Sequence, residues 1–171
     1  MEYKYIERVA DALVLILNKN NDNYTQEKIE FAYHFKAFLE QLPSFISKKE
    51  TDGLIGNEDM VHSIINYACL LIENSNIKGT EVQCGIGSKN GKGRADIVLS
   101  IKGIKTGLII EMKYNHNAKF AINQIHEKKY YNYFEKSCIA KVLLIGINVD
   151  KNKNVEVEIE GWELNKLLCK L

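Results

Sequence analysis

The most constraining feature of this sequence is a pair of apolar, β-branched runs that carry charged residues at adjoining ends. The runs cover residues 93–101 and 108–113, and a turn containing Gly and Lys lies between them. Two such runs joined by such a turn predict a β-hairpin. Asp96 lies near the start of the first strand, and Glu111 and Lys113 lie near the end of the second. The hairpin brings charged groups together where packing alone would not require them.

Glu111 and Lys113 share one face of the second strand, because side chains alternate between the two faces along a strand. The residues are separated by two rises of roughly 3.3 Å each. Taken alone, this spacing is also compatible with a strand-end ion pair that has no catalytic role. The surrounding sequence has to distinguish such an ion pair from a pair of functional residues.

Length and composition restrict the class of protein. A chain of 171 residues suits one domain, and its apolar fraction of 46% and charged fraction of 26% are ordinary for a soluble globular protein. The apolar run at residues 12–17 is too short to span a bilayer and no cleavage site follows it, so we expect a cytoplasmic protein without membrane association. The cysteines form no C-x-x-C pair, so the sequence suggests neither a zinc site nor a disulfide framework.

Asp96 followed by Glu111-Met112-Lys113 resembles the signature of the PD-(D/E)XK nuclease superfamily. Further segments add to the resemblance: Gly93-Arg94-Ala95-Asp96, residues 121–125 with Lys128 and Tyr130 after them, Leu144-Ile145-Gly146-Ile147-Asn148, and Trp162. The resemblance covers roughly residues 56–165 and is to the nuclease domain that often follows an AAA-type ATPase in bacterial proteins. Ala95 stands where the superfamily has the proline of its name.

The sequence predicts a mixed α/β sheet flanked by helices. Apolar spacings of three and four predict helices over residues 3–17, 25–43, 57–74 and 118–134, and strands are predicted over 80–86, 141–149 and 155–159 in addition to the hairpin. The last strand alternates apolar and Glu residues, as a half-exposed edge strand does. We expect one domain over 1–171, in which a helical segment at 1–50 precedes a restriction-endonuclease-like core at 56–166.

The resemblance implies a divalent cation, Mg²⁺ or Mn²⁺, bound by Asp96 and Glu111. The main-chain carbonyl of Met112 would be a third ligand. Glu58, at the start of the third helix, would bind a second metal or position water. The alternative for Glu58 is a first-turn carboxylate that the helix dipole favours. His62 lies on the same helix face as Glu58 and is interpreted as a partly buried structural histidine.

The resemblance also implies roles for the side chains of Lys113 and Gln124. Lys113 would orient the attacking water or stabilise negative charge in the transition state. Gln124, on the helix after the hairpin, would orient water, Lys113 or the scissile phosphate. Some superfamily members carry a Q-x-x-x-Y motif on this helix, whereas here the fourth residue after Gln124 is Lys128.

The formal net charge of +1 by itself does not indicate a polyanionic partner. The prediction of nucleic-acid contacts therefore depends on where the basic residues lie in the sequence. Lysines and one arginine cluster around the hairpin and the following helix. The residues predicted to contact nucleic acid are Arg94, Lys89, Lys92, Lys128 and Tyr130. The alternative is that these are ordinary solvated side chains of loops and helices.

Two functions follow from these observations. The first is a Mg²⁺-dependent phosphodiesterase that cuts nucleic acid, DNA rather than RNA. The alternative is a catalytically silent nuclease-fold module that binds nucleic acid or a protein partner. The presence of Asp96, Glu111 and Lys113 together favours the first. The resemblance also leaves room for a homodimer or for a partner ATPase that supplies targeting.

Overall fold

The computed structural model describes residues 3–19, 21–42, 57–74, 80–87, 94–101, 105–135 and 137–164. Its helices are α1 (Tyr3–Leu17), α2 (Thr25–Gln41), α3 (Asn57–Asn74) and α4 (Ala118–Lys128), and a 3₁₀ turn (Tyr130–Phe134) follows α4. Its strands are β1 (Thr80–Gly87), β2 (Arg94–Ile101), β3 (Thr106–Tyr114), β4 (Lys141–Val149) and β5 (Val155–Glu163). Across the described ranges, no helix combines the length and the apolar character needed to cross a membrane.

The strands form one five-stranded sheet in the order β1-β2-β3-β4-β5. Only β3 and β4 pair in parallel, and the other neighbours in this sheet are antiparallel. The predicted mixed sheet flanked by helices is therefore confirmed, with β5 at one edge. The central strand β3 is buried along residues 107–113, as expected of a strand covered on both faces.

Helices cover both faces of the sheet. Leu108, Ile110 and Met112 of β3 pack in one core with residues of α1, α2 and α3. Ile109, on the opposite face, packs in a second core with α4 and the 3₁₀ turn. Because side chains alternate along β3, Glu111 and Lys113 lie on the same face as Ile109, toward α4.

The N-terminal helices belong to the first of these cores. The buried side chains of α1 recur at helical spacing and include Val9, Leu13 and Ile16. Polar contacts attach α2 to the edge of the sheet: Lys28 Nζ lies 3.0 Å from Glu158 Oε2 of β5, and Lys36 Nζ donates to Asn154 Oδ1 at 2.8 Å. Contacts between side chains that remain accessible to solvent contribute little stability individually, so the shared apolar core holds these helices on the sheet.

The packing of α4 depends on a glycine in β4. Residues Ala118, Ala121, Ile122 and Ile125 form the buried face of α4. A Cβ added at Gly146 would lie 2.3 Å from the carbonyl oxygen of Ala118, closer than any real contact of this kind. The parallel register pairs Gly146 with Glu111. The missing side chain therefore lets α4 approach the sheet beside Glu111.

Most predicted boundaries lie within two residues of those observed, and two lie further away. The helix predicted over residues 118–134 ends at Lys128, because Lys129 adopts a left-handed conformation with a φ of 52° and its N–H closes onto the carbonyls of Ile125 and His126. A 3₁₀ turn then replaces the predicted last turns of the helix. Strand β5 continues to Glu163 rather than ending at residue 159, because Trp162 pairs with Val142 of β4.

The substitution Gly146→Ala should destabilise the protein by about 1–3 kcal/mol, the cost of forcing extra volume into a packed core. The reason is that the new Cβ meets main chain in α4, which has to move as a unit. Urea-induced unfolding measures this loss.

Gly161→Ala, in the neighbouring strand β5, is a matched control. Its Cβ would meet Lys141 Cε at 2.9 Å and Asp22 Oδ1 at 3.0 Å, and both atoms belong to the ends of side chains that can move aside. We expect a smaller loss for this variant. Equal losses for the two variants would contradict the account of how α4 packs.

Candidate active site

Asp96 is fixed where β2 and β3 separate. The ladder between these strands ends at the pair Ile97 and Ile110. Beyond it, the side chain of Asp96 replaces the ladder, since Asp96 Oδ2 accepts a hydrogen bond of 2.8 Å from the main-chain N–H of Met112. A buried main-chain N–H needs such a partner. The carboxylate of Asp96 is thereby held at Met112, the residue between Glu111 and Lys113 in the sequence.

Glu111 lies at the centre of the site, with only 1% of its surface exposed. Its Oε1 accepts a hydrogen bond from Lys113 Nζ at 3.1 Å and another from the side-chain amide of Gln124. Its Oε2 is buried and has no hydrogen-bond partner among the described residues. Glu111 therefore presents one satisfied oxygen to the protein and one oxygen with capacity for a further partner.

The electrostatics of Glu111 favour a bound cation. Burial raises the pKa of Glu111 to about 8, the adjacent Asp96 carboxylate contributes to the rise, and Lys113 opposes it. Two neighbouring carboxylates in a buried site repel each other when both are ionised, and a cation between them removes that cost. The positive charge of Lys113 offsets the negative charge of the ionised carboxylates only in part, so a further cation would stabilise the ionised pair.

The donor atoms of this pair are all oxygens, which suits a hard cation such as Mg²⁺ or Mn²⁺. Within the described part of the chain, no group of three or more His, Cys, Asp or Glu side chains is placed to hold a metal. A cation here would depend on Asp96, Glu111, a main-chain oxygen and water. Mg²⁺ sites of one or two carboxylates with several waters are common.

His62 of α3 contacts the main chain of Asp96. Its Nε2 lies 3.1 Å from the carbonyl oxygen of Asp96, and because a carbonyl only accepts, Nε2 carries the proton. His62 thus holds the strand segment that carries Asp96, a contact that the sequence did not reveal. Glu58 lies in the first turn of α3, but its side chain is outside the described part of the structure, so its role stays a prediction.

Tyr130 is buried beside the carboxylates, with 3% of its surface exposed, rather than lying at the surface expected for a nucleic-acid contact. Burial raises the pKa of its phenol, the nearby Gln124 amide opposes the rise, and the charge of Glu111 adds to it. The left-handed turn at Lys129 directs Tyr130 inward. The sequence placed this residue after Gln124 but gave no sign of that turn.

The remaining residues predicted to bind nucleic acid are only partly described. Lys128 is half-buried in the last turn of α4, one helical turn beyond Gln124. Arg94 is the first residue of β2, and its side chain is outside the described part. Lys89 and Lys92 lie outside the described residues. The structure therefore brings together Asp96, Glu111, Lys113 and Gln124, and it places Lys128 on the adjoining helix.

Polar side chains of β4 and β5 fix the connection from β3 to α4. Asn148, which pairs with Lys113 and is 6% exposed, accepts a hydrogen bond of 2.9 Å from the N–H of His116. Asn117 caps α4 by accepting from the N–H of Phe120 at 2.7 Å, and Glu156 accepts from the N–H of Ala118 at 2.9 Å. The signal for Asn148 in the sequence was a polar residue within an apolar strand.

Comparisons with known proteins agree with this geometry. The family model described as the PD-(D/E)XK nuclease superfamily matches residues 58–159, a span that contains every member of the cluster around Glu111. A search of the curated proteins found no match. A solved structure titled "Crystal structure of SSO0001" aligns at 14% identity and a TM-score of 0.31, over 97% of this chain and 78% of that chain. A TM-score this low supports no argument about function.

Glu111 should make the metal-free protein less stable as the pH rises. Its pKa is raised from 4.5 to about 8 on folding, so between these values the folded protein holds a proton that the unfolded chain releases. Stability is therefore fully present below the lower value and declines as the pH rises through the window. Urea unfolding in the presence of a chelator, at about pH 5 and about pH 8, measures the effect.

Glu111→Gln should lose this component of the pH dependence, because a neutral amide has no proton to release. Glu127→Gln, which changes an exposed carboxylate on α4, should keep the wild-type dependence. If wild type and Glu111→Gln respond equally to pH, the raised pKa of Glu111 is not the cause.

Proposed function

The chain belongs to the PD-(D/E)XK nuclease superfamily, and we propose that it hydrolyses phosphodiester bonds of nucleic acid with the help of a divalent cation. The observation that carries the proposal is the buried cluster in which Glu111 accepts from Lys113 and Gln124 with Oε1 and keeps Oε2 without a partner among the described residues. The proposed substrate is DNA rather than RNA, on the family resemblance.

Asp96 and Glu111 would hold the cation, Mg²⁺ or Mn²⁺, together with the main-chain carbonyl of Met112. The all-oxygen donor set and the buried Oε2 of Glu111 support this assignment. When bound, the cation neutralises charge on the phosphate oxygens and lowers the pKa of water. The hydrogen bond from the N–H of Met112 to Asp96 Oδ2 would keep the Asp96 carboxylate oriented.

Lys113 would stabilise the negative charge that develops on the scissile phosphate, or would orient the attacking water. Its Nζ is 3.1 Å from Glu111 Oε1, and the residue is only 8% exposed. A cation fixed in a site shielded from water is more effective than the same charge in solution, because it needs no reorganisation during the reaction. Gln124 would hold the Glu111 carboxylate in one orientation.

The remaining predicted residues are also proposals. Glu58 would position water or a second cation from the start of α3. Arg94, Lys89, Lys92 and Lys128 would contact phosphates along the approach to the site, which positions the substrate without reading its sequence. A catalytically silent module would bind nucleic acid without cutting it, and the next two experiments distinguish that alternative.

Cleavage should require a divalent cation, because the carboxylates by themselves cannot activate water. We expect cleavage of at least one of supercoiled plasmid, linear duplex and single strands with Mg²⁺ or Mn²⁺. A chelator should abolish the activity and excess cation should restore it. Activity that survives exhaustive chelation would rule out the mechanism, and binding without cleavage under every condition would favour the silent module.

Lys113→Ala should lower the single-turnover rate by roughly 10²-fold or more, the scale of losing one preorganised donor. Affinity for the substrate should change little, because one phosphate contact among several contributes modestly. Lys113→Met, which keeps most of the buried volume, checks that the loss is not caused by unfolding.

Lys128→Ala is the matched control on α4. It should weaken binding and reduce the salt dependence by about one unit, while the rate at saturating substrate is retained. If Lys113→Ala instead weakens binding and leaves single-turnover cleavage intact, Lys113 has no catalytic role.

A further inference from the structure

Two aromatic rings form an exposed stacked pair at the start of α4. The rings of His116 and Phe120 have centroids 5.1 Å apart and an interplanar angle of 16°. Both residues are exposed, and Phe120 keeps 49% of its surface accessible. A single exposed ring needs no explanation, so the position of this pair is what matters.

The pair lies next to the proposed active site. Phe120 and Gln124 are four residues apart on α4, so they lie on one face with their Cβ atoms about 5–6 Å apart. Gln124 contacts the carboxylate of Glu111. Lys128 lies one further turn along the same face. Along this face of α4, the aromatic pair therefore lies one turn before Gln124, and the cationic side chain of Lys128 lies one turn after it.

Both platform residues are held by their main chain. The N–H of His116 donates to the buried side chain of Asn148 at 2.9 Å, and the N–H of Phe120 donates to Asn117 Oδ1 at 2.7 Å. A surface that is already ordered loses little conformational entropy when a ligand binds. The hydrogen bond to Asn148 also connects the platform to β4, the strand that pairs with Glu111 and Lys113 of β3.

The charge around the platform suits a polyanion. The sequence from residue 112 to residue 126 contains no Asp or Glu and includes Lys113 and Lys119. Two acidic groups of β5 approach α4, and both have partners on it. Glu156 accepts from the N–H of Ala118, and Glu160 lies 3.8 Å from Lys119 Nζ and 3.1 Å from His126 Nε2. A nucleic-acid strand can therefore reach the platform without strong repulsion from this segment.

We propose that the stacked pair of His116 and Phe120 is a platform that receives an unpaired nucleobase beside the scissile phosphate. A base inside a continuous duplex already stacks on its neighbours, so its face is not available to a protein ring. The proposal rests on the proposed function and narrows its substrate to single-stranded DNA, or to DNA with an unpaired base at the cut. Every base has a face that can stack, so the platform gives little sequence preference.

The test measures binding in the presence of a chelator, which separates binding from cleavage. The probes are a single-stranded oligonucleotide carrying 2-aminopurine, whose fluorescence is quenched on stacking, and a blunt duplex of the same sequence. Phe120→Ala should weaken binding of the single strand by roughly tenfold, the scale of losing one base–aromatic stack, and should remove the quenching. Phe120→Trp should retain both.

Tyr33→Ala is the matched control, because Tyr33 is an aromatic residue of α2 with 68% of its surface exposed. It should bind both probes as wild type does. Binding of the duplex should change less in Phe120→Ala than binding of the single strand. Equal losses on both probes, wild-type binding by Phe120→Ala, or an equal loss in Tyr33→Ala would each overturn the platform.

Cleavage by the wild-type protein with Mg²⁺ or Mn²⁺ separates this proposal from the proposed function. If cleavage occurs and Phe120→Ala binds the single strand normally, the platform is wrong and the nuclease assignment stands. If no substrate is cleaved while the loss in Phe120→Ala is confined to the single strand, the platform stands as a binding site and the nuclease assignment fails.

Discussion

The carboxylate of Glu111 is the group on which the rest of the site depends. A charged group on the central strand of a sheet is costly to bury unless other groups compensate it. Here Lys113 and Gln124 both donate to one of its oxygens. Lys113 lies two residues from Glu111 on the same face of β3, whereas Gln124 belongs to α4. The fold therefore has to bring α4 close to β3, and Gly146 is the residue that permits it.

Asp96 depends on a different part of the molecule. The end of the ladder between β2 and β3 leaves the N–H of Met112 for the Asp96 carboxylate. On the other side, His62 of α3 holds the carbonyl of Asp96. α4 thus contacts the carboxylate of Glu111 through Gln124, whereas α3 contacts the main chain of Asp96 through His62. The packing of helices on both faces of the sheet therefore contributes to the geometry of the site.

The connection between β3 and α4 links the strand that carries Glu111 and Lys113 to the exposed aromatic pair of His116 and Phe120. Asn148 and Glu156, from β4 and β5, accept main-chain N–H groups of this connection. These contacts order a loop that would otherwise have many conformations, and they begin α4 at a fixed place. The same contacts set the position of the exposed rings of His116 and Phe120. Under the proposals above, this ordered connection would let the exposed rings and the buried carboxylate of Glu111 contact the same substrate.

The sequence by itself determined the features that depend on local periodicity. The order of elements, the hairpin of β2 and β3, and the common face of Glu111 and Lys113 all follow from alternation and helical spacing over a few residues. Tertiary structure decided which distant groups meet: Gln124 with Glu111, His62 with the carbonyl of Asp96, and the burial of Tyr130. It also decided the break at Lys129 and the extension of β5 to Trp162. The physical reason is that local patterns fix which face a side chain occupies, whereas the partner across that face depends on how closely whole elements pack.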